Sequence, residues 1–315
     1  QSIKPITAQR LCQGWRFIGR PEMQQGSEAM RFTLILEDES GNQINLTTTA
    51  NQYMTSEIDG LYPPAGTVST SAYAGMNGSY LNNAFIEKRN LVISFAMRGI
   101  KIEQNRHALY KIVKPSRYVK VYYRTQNIDV YTEGYVESCN ITNFTNETIG
   151  QISILCPDIY WYSINSTYAY FARISGAFHF PFPESDAPFP LGTYNHSNII
   201  SLQNDGDEIG FTLILENVGK ENVVNPTIYN VDSGAYLQIK TIMQPGDVIT
   251  VTTKIGNKTV TLTRNGVNSN LINSFVAGST WLTLPTGKTR LRISAVLNLN
   301  DLKVTAIHTN AYLGV

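Results

Sequence analysis

Three carboxylates that stand close together in the second half of the chain are the first candidates for catalysis. Asp205, Asp207 and Glu208 lie in the segment Gln203–Gly210, and paired side chains of this type act as acid and nucleophile in glycosidases. The segment also has the composition of a turn before a strand that begins at Phe211, where carboxylates are usually solvated. No G-x-S-x-G, P-loop or H-E-x-x-H motif accompanies them. We therefore predict that the protein is not an enzyme and has no catalytic residues.

Metal-binding and redox side chains are too scattered to form an obvious centre. The cysteines Cys12, Cys139 and Cys156 include no C-x-x-C pair, and the four histidines stand far apart. Cys139 and Cys156 could face each other on neighbouring strands, but burial as free thiols is the preferred interpretation. We predict neither a metal site nor a cofactor.

A basic stretch between Lys101 and Arg124 is the other chemically distinctive feature. Seven Lys and Arg side chains there accompany one acidic residue, Glu103. A contact with an acidic partner or another subunit is the functional interpretation, with Arg106 and Lys114 as candidates, and a solvated helix and strand surface is the alternative. The whole chain carries 25 basic and 24 acidic side chains, so its net field does not favour nucleic acid. We predict no sequence-specific nucleic-acid binding.

The elements that must position these residues belong to two domains, because the chain has 315 residues and a domain takes about 150. Charged side chains make up 16% of the chain, against about 25% in typical soluble domains. Low charge weakens the repulsion between copies and favours self-association. No apolar run is long enough to span a membrane, and Gln1–Gly14 lacks the apolar core of a signal peptide.

Alternation with period two dominates the chain and predicts a mainly β fold. The clearest such runs in the first half are Phe32–Leu36, Leu91–Phe95, Tyr118–Tyr123 and Gln151–Leu155. One segment, Gln104–Lys114, has helical spacing and is followed by Pro115.

The second half has the signals of further strands. Two alternating runs around Gly256-Asn257 predict a hairpin over Val248–Arg264, and Trp281–Ala295 predicts a second hairpin that turns at Pro285–Gly287. Asp301–Asn310 supplies a last strand. Short strands separated by turns in this way indicate a β-sandwich of the jelly-roll or galectin type.

The predicted domains are separated by a proline-rich segment, in which four of the chain's 13 prolines lie between Pro181 and Pro190. Such a segment favours an extended connector. We predict an N-terminal domain over 1–164, a connector over 165–190 and a C-terminal β-sandwich over 191–315.

An arm segment, Leu61–Asn90, is the least ordinary part of the first half. It is rich in Gly, Ser and Asn and has no charged residue before Glu87. A long segment of this kind within a compact domain usually contacts a partner. Its aromatic side chains are the candidates for a subunit interface: Tyr62, Tyr73, Tyr80 and Phe85.

Taken together, these features resemble the distal tail protein (Dit) family of long-tailed, siphovirus-type phages. The matching segments occur in the family's order: Phe32–Thr48, Ile58–Ser69, Gly78–Gly99, Asn105–Pro115, Val119–Tyr123, Ile128–Cys139, Gln151–Tyr162, Phe178–Pro183, Asn225–Ile239 and the Gly256-Asn257 hairpin. The resemblance implies a hub domain with one helix and an extended arm, followed by a galectin-like domain.

The resemblance also implies a structural role. It implies a homohexameric ring in the virion tail tip, assembled in the host cytoplasm. That ring would join the tail tube protein to the tail-associated hub or lysin protein and give receptor-binding proteins an attachment point. The alternative is a carbohydrate-binding module that touches host wall glycans through the C-terminal domain, and its aromatic platform would come from Tyr236, Trp281 and Tyr312.

Overall fold

The computed structural model describes residues 32–47, 53–97, 101–142, 148–176, 192–196 and 198–315. Phe32–Val315 form one compact unit. The predicted proline-rich stretch, the N-terminal segment and Cys12 lie outside the described residues.

The first half of the described chain is a curved antiparallel sheet with one helix. Its elements are β1 (Thr33–Asp38), β2 (Gln43–Asn45), β3 (Tyr53–Asp59), β4 (Thr67–Ala72), β5 (Ser79–Phe85), β6 (Arg89–Met97), α1 (Ile102–Ile112), β7 (Tyr118–Arg124), β8 (Asp129–Ile141), β9 (Thr148–Cys156), β10 (Trp161–Ser163) and β11 (Thr167–Tyr170). The main sheet has the order β2–β1–β7–β8–β9–β6–β3, and β10 pairs with β8. The Thr55 hydroxyl on β3 donates a hydrogen bond of 2.8 Å to the Leu46 carbonyl just after β2, so the two ends of the sheet approach each other.

The second half is a sandwich of two sheets. Its strands are β12 (Ala172–Gly176), β13 (Gly192–His196), β14 (Ile199–Asn204), β15 (Ile209–Gly210), β16 (Thr212–Asn217), β17 (Val223–Val224), β18 (Thr227–Asn230), β19 (Tyr236–Gln238), β20 (Ile242–Met243), β21 (Val248–Thr252), β22 (Thr259–Arg264), β23 (Val267–Asn270), β24 (Thr283–Leu284), β25 (Gly287–Ser294), β26 (Leu302–His308) and β27 (Ala311–Tyr312). A six-stranded sheet, β11–β26–β16–β21–β22–β23, packs on a four-stranded sheet, β14–β25–β18–β19. Their inward side chains form one apolar core that includes Phe211, Leu215 and Leu291.

The mainly β fold with a single predicted helix is confirmed for the described residues. Strand β6 shows why sequence alternation predicted the strands, because Leu91, Ile93 and Phe95 are buried while the residues between them are not. Helix α1 buries Leu109 and Ile112 in the apolar core of the first half, the first core, which also includes Leu91 and Phe95. The helix ends before Pro115 as predicted.

One of the two predicted hairpins is confirmed and the other is wrong. Strands β21 and β22 pair through a turn in which Gly256 has φ +79°. The segments on either side of Pro285–Gly287 do not pair with each other, since β24 pairs with β15 and β25 pairs with β14 and β18. The turn therefore carries the chain from one sheet to another instead of reversing it within a sheet.

Two short segments cross the predicted domain limits. Strand β11 lies within the predicted connector, yet it pairs with β26 of the six-stranded sheet, and Phe171 after it is buried in the second core. At the other end, β27 pairs with β10, and Tyr312 and Val315 pack against the first core. Each half of the described chain therefore contains a short strand, β11 or β27, that lies outside its predicted limits.

Candidate subunit-contact surface

Strands β4 and β5 form an isolated hairpin, which we call the arm hairpin (Thr67–Phe85). They pair with each other in a two-stranded sheet of their own. All residues of β5 are exposed, as are nearly all those of β4. Two-stranded hairpins are marginally stable alone in water, so this hairpin lacks the packing that usually supports one.

The surface of the arm hairpin is uncharged and exposes several large apolar side chains among Ser, Thr and Asn residues. No Asp, Glu, Lys or Arg occurs in it, and Val68, Met76 and Leu81 are largely exposed. The rings of Tyr73 and Tyr80 lie 5.6 Å apart near the tip. Large exposed apolar surfaces in soluble proteins mark contact sites, and the hairpin has the composition of one.

The base of the arm hairpin is anchored by a buried guanidinium. Arg89, at the start of β6, donates hydrogen bonds to the carbonyls of Gly60 and Tyr62 just before the hairpin. It also donates to the carbonyls of Ile159, at 2.7 Å, and Leu313, at 2.5 Å. Burial lowers the pKa of this guanidinium. Because Arg89 is only 1% exposed, it fixes the backbone from which the hairpin projects.

Arg89 was missed by the reasoning from sequence, although a signal was present. It stands two residues before Leu91, in phase with Ile93 and Phe95. Strand alternation therefore placed it on the inner face.

The four aromatic residues predicted for the subunit interface lie at the tip of the arm hairpin, at the end of its second strand and at its base. Tyr73 and Tyr80 are near the hairpin tip and Phe85 is at the end of β5, all of them exposed. Tyr62 lies at the base and donates a hydrogen bond to the Asp59 carboxylate, which raises the pKa of Tyr62.

The two basic candidates belong to a different element from the hairpin. Arg106 is on α1, where it forms an ion pair of 3.9 Å with Glu103, and the exposed Lys114 follows the helix. An interface role for both groups stays a prediction.

The three predicted glycan-platform residues have different aromatic neighbours. Tyr312 lies on β27 opposite Trp161, against the first core. Trp281 packs against Phe275 with ring centroids 4.6 Å apart, beside the second core. Tyr236 instead lies on β19 beside Tyr229, at 5.9 Å.

The carboxylates of the acidic segment Gln203–Gly210 form hydrogen bonds within the protein. Asp207 accepts a hydrogen bond of 2.7 Å from the Leu313 amide, and Glu208 accepts one of 2.6 Å from the Thr283 hydroxyl. Asp205 accepts from the Gln203 amide at 2.9 Å. These contacts hold the loop against neighbouring chain segments, as expected of a turn.

The remaining chemical features are few within the part of the chain that the structure describes. Cys139 and Cys156 are free thiols, and burial raises the pKa of Cys156 to about 11. No cluster of His, Cys, Asp and Glu suited to a metal ion occurs among the described residues. The described helical segment is also too short and too polar to cross a membrane.

Two family models match the chain in succession. The model of the phage tail protein RIFT-related domain matches residues 39–156. The model of the siphovirus-type tail component, C-terminal domain, matches residues 210–312. No curated protein matches the chain.

Two solved structures align with most of the chain, and one of them has a TM-score above 0.5. The SPP1 Dit protein, described as a paradigm of the hub adsorption apparatus in phages infecting Gram-positive bacteria, has a TM-score of 0.58 at 12% identity, over 89% of this chain and 99% of that one. A chain of the phage P2 baseplate in its activated conformation with Ca has a TM-score of 0.45 at 12% identity, over 89% of this chain and 98% of that one.

The resemblance to the distal tail protein family is confirmed by these matches. The chain is a siphovirus-type tail protein, and the family places it in the tail of the virion with a structural role.

Proposed function

We propose that this siphovirus-type tail protein forms a homohexameric ring in the tail tip, in which the arm hairpin of each subunit contacts the next. The exposed, uncharged hairpin is the observation that carries the proposal. Six head-to-tail contacts of one kind close into a ring when the rotation between neighbours permits it.

The low charge of the chain supports the same role. Permanent interfaces of this type are large and apolar, often above about 2,000 Å². The arm hairpin offers Tyr, Phe and Met side chains, which interfaces favour. Burying them against a neighbour would also supply the packing that the isolated hairpin lacks.

The ring would connect the tail tube protein to the tail-associated hub or lysin protein and would carry receptor-binding proteins. The fold shared with SPP1 Dit, which is described as a hub protein, supports this position. The role is structural and non-enzymatic, with no cofactor, no membrane contact and no sequence-specific nucleic acid. Assembly takes place in the cytoplasm of the bacterial host.

A shortened hairpin tests the ring. Ser69 and Asn83 pair directly, so replacing residues 70–82 with Asn-Gly rejoins the strands through a two-residue turn. Light scattering after size exclusion should give the unaltered chain six times 35.1 kDa and the shortened chain one protomer. A shortened chain that still forms hexamers would place the contact elsewhere.

Matched point variants separate interface loss from unfolding. Val68 on the arm hairpin and Val267 on β23 are both exposed, at 63% and 69%. Val68→Glu should dissociate the ring and Val267→Glu should not, with the same thermal unfolding midpoint for both. Equal effects on assembly would show that the hairpin is not the specific contact.

A further inference from the structure

The outer face of the four-stranded sheet carries a row of basic side chains. On β25, Thr289, Leu291 and Ile293 point into the core and are buried, so Lys288, Arg290 and Arg292 lie together on the solvent side. Side chains two residues apart share one face of a strand. The three cations therefore form a line along the middle of this sheet.

Strand register places an aromatic pair beside the row. Arg292 is opposite Tyr229 on β18, and Tyr229 is opposite Tyr236 on β19. The guanidinium carbon of Arg292 lies 4.7 Å from the centroid of the Tyr229 ring. A guanidinium stacked on an aromatic ring keeps its planar N–H groups available for an anion.

The basic row is only partly neutralised. Arg290 binds Asp232 through two nitrogens, at 2.6 and 2.9 Å. Lys288 and Arg292 form no ion pair among the described residues. Arg292 lies beside the aromatic pair, and Lys288 lies at the other end of the row, where it interacts electrostatically with Asp232. Both can form charge-assisted hydrogen bonds to an anionic ligand.

Neutral hydrogen-bonding groups flank the cations on the other side. Ser201 and Gln203 on β14 are exposed and lie opposite Arg290 and Lys288. The Gln203 amide nitrogen also donates a hydrogen bond of 2.9 Å to the Asp205 carboxylate. Hydroxyl and amide groups of this kind suit the hydroxyls of a sugar or polyol, whereas the cations suit its acidic groups.

We propose that the outer face of the four-stranded sheet binds an anionic polysaccharide, with its acidic groups on Lys288 and Arg292 and a ring or polyol unit against Tyr229 and Tyr236. A protein partner is the less favoured occupant because Lys is depleted at protein interfaces, whereas the neutral hydroxyl of Ser201 beside the cations suits the hydroxyls of a sugar. The inference is independent of the ring, since it uses neither the arm hairpin nor α1.

Binding is measured by biolayer interferometry on the full chain with four immobilised probes. Oligogalacturonate presents carboxylates, poly(glycerol phosphate) presents phosphates, cellohexaose is neutral, and polyglutamate is an acidic peptide. We expect binding to one or both anionic glycan probes, weakened by salt, and at least tenfold weaker binding to cellohexaose and polyglutamate. The stronger of the first two probes identifies the acidic group.

Substitutions locate the site. Lys288→Ala with Arg292→Ala should reduce affinity for the preferred probe at least tenfold, and Arg292→Lys should have an intermediate effect because it loses the planar fork. Lys258→Ala is the matched control, since Lys258 lies 5.7 Å from the Trp281 ring centroid and so offers another cation beside an aromatic ring. Circular dichroism and the assembly state should stay unchanged in all three variants.

Three results would overturn the proposal. They are equal binding of polyglutamate, an equal loss in the Lys258→Ala control, and unchanged affinity in the double variant. Because assembly is recorded for the same samples, failure of glycan binding is distinguishable from failure of the ring.

Discussion

Replacing Arg89 with alanine removes the guanidinium at the base of the arm hairpin. Its donors reach four carbonyls, on Gly60, Tyr62, Ile159 and Leu313. No carboxylate is bonded to it within the described residues. The substitution therefore leaves buried acceptors without partners and does not leave a buried counter-ion.

The magnitude follows from the number of acceptors. A buried acceptor left without a partner costs about 1–3 kcal/mol, so four lost partners should lower the unfolding free energy by about 4 kcal/mol or more. The lost stack on Trp161, whose ring centroid is 5.7 Å from the guanidinium carbon, adds to this. Arg89→Lys keeps the charge but reaches fewer carbonyls, so its effect should be smaller.

Urea unfolding followed by tryptophan fluorescence measures the change. Arg124→Ala is the matched control, since its ion pair of 2.9 Å with Asp129 is about half exposed and such pairs contribute about 0–1 kcal/mol. A loss in Arg89→Ala no larger than that of the control would refute the assigned role. Limited proteolysis should also cleave Arg89→Ala between Gly60 and Thr67 faster than the unaltered chain.

Two further substitutions test the fold at single positions. Gly60 and Gly41 have similar positive φ angles, +93° and +81°, but of these two only Gly60 has a neighbour, the Asn90 carbonyl, that an added Cβ would overlap. Gly60→Ala should therefore lower the unfolding free energy by about 3 kcal/mol and Gly41→Ala by about 1 kcal/mol. Equal losses of unfolding free energy in urea would contradict the steric explanation. The pKa of the buried Asp247 is lowered by its hydrogen bonds from Arg264, so its contribution is present above the unfolded pKa of about 3.9 and is lost as pH falls through the lower folded value. The stability difference between the unaltered chain and Asp247→Asn should be constant near pH 7 and shrink in acid, and a difference that grows in acid would contradict the assignment.

Local patterns predicted the elements with strong periodicity. Strands such as β6 and β7 have one face in a core, so alternation survives in the sequence. Helix α1 was readable for the same reason, since its buried residues Leu109 and Ile112 repeat at helical spacing.

The pairing between strands was harder to predict from sequence than the strands themselves. The turn at Pro285–Gly287 has the residues of a hairpin, yet the partners of β24 and β25 come from distant segments. Turn composition reports a change of direction and does not report which strand lies beside the next one.

The candidate sites also differ in whether they depend on local sequence or on pairing between distant strands. Exposed aromatics on the arm hairpin were predictable, because a segment without charge or alternation has no core to face. The grouping of Tyr236 with Tyr229 and Arg292 was not predictable, because it depends on register across three strands. Tyr312 was assigned to the wrong neighbours for a similar reason, since β27 crosses to the first sheet.

The last segment of the chain, residues 311–315, links the base of the arm hairpin to the second half of the chain. Asp207 in the second half donates its amide to the Ala311 carbonyl and accepts the Leu313 amide. On the other side, Leu313 accepts from Arg89, and the Val315 amide donates to the Leu61 carbonyl at 3.0 Å. Residues 311–315 are therefore bonded to both halves within a few residues of the hairpin base. The hairpin base and the second half of the chain are therefore hydrogen-bonded to the same five-residue segment.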